Sequence, residues 1–276
     1  MKTYPAFDVR TDSADLLLAL VDDFSPTAVE ERDAGVRVFF ATAAARDEAA
    51  AASRARGFDA SAIDVPDEDW ARRSQEGLQP VTIGRIVVRT NPSPPISIAT
   101  NPQSPIANPI AIVIPASMAF GTGHHATTRL CLEALQAIDI EGAEVLDVGT
   151  GSGILAIAAA LLGAARGVGI DHDADAIQAA RENLDRNPRA RSVEFIESDL
   201  VTLRGRPFDL VAANLTGALL VRSAPRLLDL AAAGGHLILS GFLVDERDAI
   251  ADAFRSATIV WERCEDEWAA LAVKKS

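Results

Sequence analysis

Hydrophobic positions along the chain follow two different rhythms. In the first 65 residues short apolar stretches alternate with polar ones: Tyr4–Val9, Ala28–Arg32, Val36–Thr42 and Ser61–Val65 read as strands. Asp12–Val21 and Ala43–Arg56 read as helices, the second closed by Gly57. The order strand-helix-strand-strand-helix-strand predicts a small ferredoxin-like α/β unit. Ala43–Arg56 is mostly alanine, so its apolar stripe is weakly patterned and predicts loose packing.

From residue 117 onward the rhythm becomes regular βα alternation. Strands Glu144–Val148, Gly167–Ile170, Val193–Ile196, Phe208–Ala213 and His236–Ser240 interleave with helices Thr127–Ala137, Ser152–Leu162, Ala174–Arg186, Ala218–Leu230 and Asp245–Ala253. Such alternation predicts a Rossmann-like α/β fold, a mostly parallel sheet covered on both faces. The last two strands, Thr258–Arg263 and Trp268–Val273, are separated only by Cys264–Glu267, too short a link for a crossover helix, so the last strand should run antiparallel. Between the two rhythms, residues 66–116 hold a short helical pattern (D-E-D-W-A-R-R-S-Q-E-G), an extended stretch Val81–Arg89 and a tract of repeated prolines that blocks helices and limits sheet pairing. The expected partition is therefore a small unit at 1–65, a region at 66–116 made of a helix, an extended segment and a semi-rigid proline-rich linker, and a large domain at 117–276.

Composition narrows the setting. A chain of 276 residues suits one large domain plus a smaller one. Although 49% of residues are hydrophobic, no apolar run approaches the roughly 20 needed to span a bilayer. The start, M-K-T-Y-P-A-F-D-V-R, has no apolar core of a secretory signal, so a cytoplasmic protein without a membrane segment is expected. Cys131 and Cys264 lie far apart without C-x-x-C spacing, which argues against a disulfide framework and a zinc knuckle. The net charge of -13 and the lack of a Lys/Arg-rich block argue against direct nucleic-acid binding. A basic protein partner suits that charge, as does plain solubility.

Two glycine loops carry candidate chemistry. In V-L-D-V-G-T-G-S-G, an apolar strand enters a turn of alternating glycines that opens a helix; Gly149, Gly151 and Gly153 would allow close backbone approach, with N–H groups meeting an anionic or polar ligand. Asp147, just before the turn, would repel a pyrophosphate and suit an ammonium, directly or through water. Asp171 ends the next strand about twenty residues on, the spacing at which an acid accepts from both ribose hydroxyls. Together they describe a ligand that is adenosine plus an amino acid, S-adenosylmethionine; a solvated acid at a strand end is the plainer account of Asp171 alone. Asn214 ends a buried strand at the sheet edge where ligands bind, offering one carbonyl acceptor and two donors, and asparagine is also a common helix cap. The other loop, A-F-G-T-G-H-H-A-T-T-R-L, brings His124 and His125; neither His172 nor His236 completes a recognisable metal set with them, so no metal is expected.

These segments, with G-I-D-H-D-A-D-A-I-Q-A-A-R-E-N and V-A-A-N-L-T-G, resemble the ribosomal protein L eleven methyltransferase family, from about Trp70 to the C-terminus. The F-G-T-G-x-H-x-T-T loop is the specific part. The resemblance implies an enzyme that moves methyl groups from S-adenosylmethionine to lysine side-chain, and possibly N-terminal, amines of large-subunit ribosomal protein L eleven. It implies cofactor contacts at Thr128, Gly149, Asp171 and Asn214, and a signature loop with Thr122 and His125 that covers the cofactor; with no metal expected, His125 itself reads as a hydrogen-bond partner that orders the loop. Asn214 is the candidate catalytic residue. The chain departs from the family at His124-His125-Ala126, where Thr-His-Pro is usual, and at Leu215-Thr216-Gly217, where Ile-Leu-Ala is usual. Alternatives are a methyltransferase of the same build acting on another protein lysine or a small amine and, more remotely, a NAD-binding oxidoreductase or a non-catalytic binding protein.

Overall fold

The computed structural model describes residues 3–11, 17, 20, 21, 24, 26–32, 35–66, 80–90, 109–115 and 125–276. The chain divides into two compact units, Met1–Glu76 and Gly77–Ser276. In the first, β1 (Thr3–Val9), β2 (Pro26–Arg32), β3 (Gly35–Phe40) and β4 (Ala60–Pro66) form an antiparallel sheet of order β2-β3-β1-β4. This is the ferredoxin-like order expected. Alternation along β1 sends Phe7 and Val9 into one cluster and Ala6 into another with Phe39 and Val65.

Helix α1 (Ala43–Ala55) starts at Thr42, whose hydroxyl accepts from the Ala45 N–H. It stops at Gly57, where φ is +89°. Its packing is closer than the alanine-rich pattern suggested: Ala49 and Ala50 are fully buried and the Ser53 hydroxyl donates to the Ala49 carbonyl. Small side chains weaken the pattern in the sequence but let a helix sit close to a sheet. Of the helix expected at Asp12–Val21, the described residues Leu17, Leu20 and Val21 are helical.

In the second unit, Val81–Arg89 is not one extended stretch. Gly84, at φ +55°, turns it into a hairpin of β5 (Val81–Ile83) and β6 (Ile86–Arg89), and β7 (Ile110–Val113) adds to β6 in parallel. Strands from the 66–116 region thus supply Ile83, Ile86 and Ile112 to a core shared with Leu132, Leu135 and Ile157. The helix expected at 67–77 and nearly all of the proline tract lie outside the described residues. The end of β7 is held by Asn187, whose amide donates to the Val113 carbonyl (2.8 Å) and accepts from the Val113 N–H (2.9 Å).

The large sheet contains β8 (Glu144–Val148), β9 (Arg166–Asp171), β10 (Val193–Glu197), β11 (Phe208–Asn214), β12 (Ala231–Leu243), β13 (Ala257–Glu265) and β14 (Trp268–Lys275). Their order is β10-β9-β8-β11-β12-β14-β13, with β14 antiparallel to both its neighbours and the other pairs parallel. The helices are α2 (Ala126–Ala137), α3 (Ile154–Leu161), α4 (Ala174–Asp185), α5 (Gly217–Leu230) and α6 (Arg247–Ala253). Residue parity divides the core: Leu210 and Ala212 of β11 join α2 and α3, whereas Val211 and Ala213 join Leu220, Leu227 and Ile250 of α5 and α6. β12 begins before the expected His236 because Gly234, at φ +75°, lets its pairing slip between Phe208 and Leu210. No helix among the described residues is long and apolar enough to cross a membrane.

Candidate active site

The C-terminal ends of β8, β9, β11 and β12 converge where ligands bind in open α/β sheets. The turn after β8 passes through left-handed conformations at Gly149 (φ +68°), Gly151 (+51°) and Gly153 (+80°), which only glycine adopts without strain. Four of its N–H groups, which the sequence pattern suggested would meet an anionic or polar ligand, are engaged within the fold. Gly149 and Thr150 both donate to the Ile170 carbonyl (2.9 Å each), Gly153 to the Thr150 carbonyl (2.8 Å) and Gly151 to Asp171 Oδ2 (3.1 Å). A pyrophosphate would find these donors engaged; a phosphate-free ligand lying along the bare glycine backbone does not need them.

Asp147 supports this turn from below. Its side chain is 1% exposed, and Oδ2 accepts from the Thr150 hydroxyl (2.6 Å) and the Ala156 N–H (3.3 Å). Gly153, the cap of α3, has no side chain, so the strand carboxylate supplies the acceptor that a capping serine or aspartate would provide. Asp147 therefore meets the turn itself rather than projecting toward an ammonium. Burial pushes its carboxyl up to about 6, against the opposing pull of the Thr150 hydroxyl and the Ala156 N–H. Burial also pushes the Cys131 thiol up, with the nearby Asp147 charge adding to the effect and Ser240 opposing it.

Asp171 stays at the rim, its side chain 11% exposed. One oxygen accepts from Gly151 and the other from the Asp173 N–H (3.1 Å), so the carboxylate is oriented and keeps acceptor capacity for hydroxyl donors. A ribose diol fits that remaining capacity, while the internal use of the turn's donors disfavours a phosphate. The residues present thus fit an adenosine bearing no phosphate.

The second half of the site begins at His125, the cap of α2. Its Nδ1 accepts from the Thr127 N–H (3.4 Å) and lies 2.9 Å from Thr127 Oγ1, and its ring meets the edge of Trp268 with centroids 5.0 Å apart. Thr127 is buried and Oγ1 also accepts from Asn214 Nδ2 (3.3 Å). Asn214 does not cap the next helix: that position belongs to Thr216. Thr128 is buried beside it, its N–H donating to the His125 carbonyl (3.1 Å). Leu215 lies over Gly149, with Cδ2 2.7 Å from where a Cβ would stand. Thr127, Leu215 and Trp268 are the neighbours that sequence reading missed. Thr127 had a signal in the Thr-Thr pair; Trp268 had none.

Thr122, His124 and the rest of the first glycine loop lie outside the described residues. His172 is largely exposed beside Asp171, and His236 starts the far, N-terminal part of β12's pairing with β11, so neither stands with His125. Among the described residues no group of three or more His, Cys, Asp or Glu could hold a metal ion.

A family model described as ribosomal protein L11 methyltransferase (PrmA) matches residues 17–276. The chain belongs to this family. A relative of that name from Geobacter sulfurreducens is 40% identical over 269 residues, covering 92% of this chain and 86% of its own length. One from Geobacter metallireducens is 44% identical over 207 residues, 74% of this chain and 66% of that protein. The crystal structure of ribosomal protein L11 methylase from Lactobacillus delbrueckii subsp. bulgaricus is similar at TM-score 0.62 and 27% identity, over 72% of this chain and 100% of that one. Membership of the PrmA family and a mostly parallel seven-stranded sheet together make this an α/β methyltransferase fold.

Proposed function

We propose that this chain is a cytoplasmic S-adenosylmethionine-dependent protein methyltransferase that modifies lysine side-chain amines of ribosomal protein L11. The observation that carries the reading is the joining of Asn214 to the first turn of α2, in a family named for that activity, beside a glycine turn whose donors are engaged internally. Gly149, Gly151, Asp171, Asn214 and Thr128 would hold the cofactor, with Asp147 supporting the turn beneath it; Thr122 and His125 belong to the signature loop of the family. When bound, the cofactor supplies a methyl group already activated on a sulfonium.

The chain's own task is then to position the acceptor and favour its neutral form. A lysine of pKa ~10.4 is almost wholly protonated at pH 7, and partial desolvation lowers that value. Asn214 Oδ1 accepts a hydrogen bond from the amine and orients its lone pair, and water takes the proton. The partner is the ribosomal protein; direct nucleic-acid binding is not needed, in keeping with the net charge of -13.

Incubating the purified chain with methyl-labelled S-adenosylmethionine and total cell protein tests this. Label in the large-subunit protein L11 is expected. Label in a different protein would replace the substrate while keeping the chemistry, and saturable binding of NAD without binding of S-adenosylmethionine would overturn the activity.

A further inference from the structure

The contacts between α2 and β11 determine which way the Asn214 carboxamide faces. The Thr127 N–H points at His125 Nδ1 (3.4 Å), the capping contact of α2, and a ring nitrogen can accept there only as the tautomer that carries its hydrogen on Nε2. In that tautomer Thr127 Oγ1, 2.9 Å from the same nitrogen, is the donor. Having spent its only proton, the hydroxyl can serve Asn214 only as an acceptor. The amide matches this arrangement: Nδ2 faces Thr127 at 3.3 Å, which turns Oδ1 away from it.

The other side of the amide is shaped by Gly241. There φ is +91°, and a Cβ would lie 2.4 Å from the Leu215 carbonyl oxygen and 3.0 Å from Asn214 Oδ1. A side chain at position 241 would therefore crowd Oδ1, and glycine avoids it. Thr127 is buried, so no bulk water competes for its hydroxyl and the orientation is maintained by the protein.

We infer that Thr127 is a positioning residue: its hydroxyl, oriented by His125, holds the Asn214 carboxamide with Oδ1 as the atom offered to the N–H of the acceptor amine. Without the hydroxyl the amide is free to flip and present Nδ2, a donor that would repel an amine N–H. The inference rests on the proposed role of Asn214 in receiving that amine.

The test compares Thr127→Val, which keeps the branched shape, with Thr127→Ser, which keeps the hydroxyl, in labelled-methyl transfer to purified ribosomal protein L11. Thr127→Val is expected to lower kcat about 10²-fold while S-adenosylmethionine affinity, read by calorimetry, and Tm stay near the parent values. Thr127→Ser should recover most of the rate. His125→Ala, which releases the hydroxyl without touching Asn214, should lower kcat about tenfold and gives a second reading should Thr127→Val fold poorly. In an Asn214→Ala background, Thr127→Val should add no further loss. Parent-like kcat in Thr127→Val beside an inactive Asn214→Ala overturns the role of Thr127 alone. Full activity in Asn214→Ala overturns the role of Asn214 and this inference with it. Equal loss in the Val and Ser variants, or a loss confined to cofactor affinity, also overturns the positioning role.

Discussion

The two halves of the site are built by opposite means. The turn after β8 is held by partners close in sequence: Asp147 reaches Thr150 and Ala156, and Gly151 reaches Asp171, over separations of 3, 9 and 20 residues. The start of α2 is held by partners from remote elements, Asn214 at a separation of 87 and Trp268 from β14. The first is a backbone framework with little freedom, because its donors are spent and its φ values require glycine. The second is a set of side chains brought together by packing, and it carries the groups that can face an acceptor. Rigidity near the cofactor and side-chain chemistry near the acceptor are thus separately adjustable.

The sharpest test of this division is Asn214→Ala. Turnover should fall by about 10³-fold, the scale for removing a group that organises the reacting centre, with the melting transition nearly unchanged; methyl transfer at the parent rate would remove the acceptor half from the comparison. In the framework half the damage should fall on stability. Gly153→Ala places a Cβ 2.5 Å from the Phe195 ring at φ +80°, and a loss of about 3 kcal/mol by denaturant titration is expected. A loss within error would mean that the turn can relax and is not the rigid member.

Asp147 gives that framework a pH signature. Its folded carboxyl keeps a proton up to about pH 6, whereas an unfolded aspartate releases it near pH ~4. Between those values the folded state binds more protons, so stability declines as pH rises through the window, by roughly 3 kcal/mol. Asp147→Asn should lack that decline, and parallel stability curves for the two proteins would contradict the burial argument. The smallest effect is expected where α2 begins: His125→Ala removes the cap and the contact with Trp268 and should cost about 1 kcal/mol in thermal unfolding. A loss as large as that of Gly153→Ala would mean that both halves are frameworks.

How much of this was legible follows the same division. The βα alternation from Glu144 to Leu230, the glycine turn and the acid at Asp171 could be read because each depends on a local period or a short spacing. Val81–Arg89 was misread as one extended stretch because a single glycine, Gly84, is a weak turn signal when the apolar run continues on both sides. The turn's N–H groups were expected to face a ligand, yet they go to Ile170 and Asp171, partners that depend on how β9 pairs beside β8. Asp147 stands at the strand end as the pattern suggests, but burial makes it the acceptor for the first turn of α3.

The sequence by itself determined the fold class, the order of the elements and the left-handed turn at Gly149, Gly151 and Gly153, because strand period, helix period and backbone sterics act over a few residues. Only the tertiary structure decided that Thr127 meets Asn214, that Trp268 lies against His125 and that Gly241 comes up beside Asn214 Oδ1. Those contacts join α2, β11, β12 and β14, and no periodicity encodes them: they exist because sheet order and core packing bring the ends of distant elements to one edge.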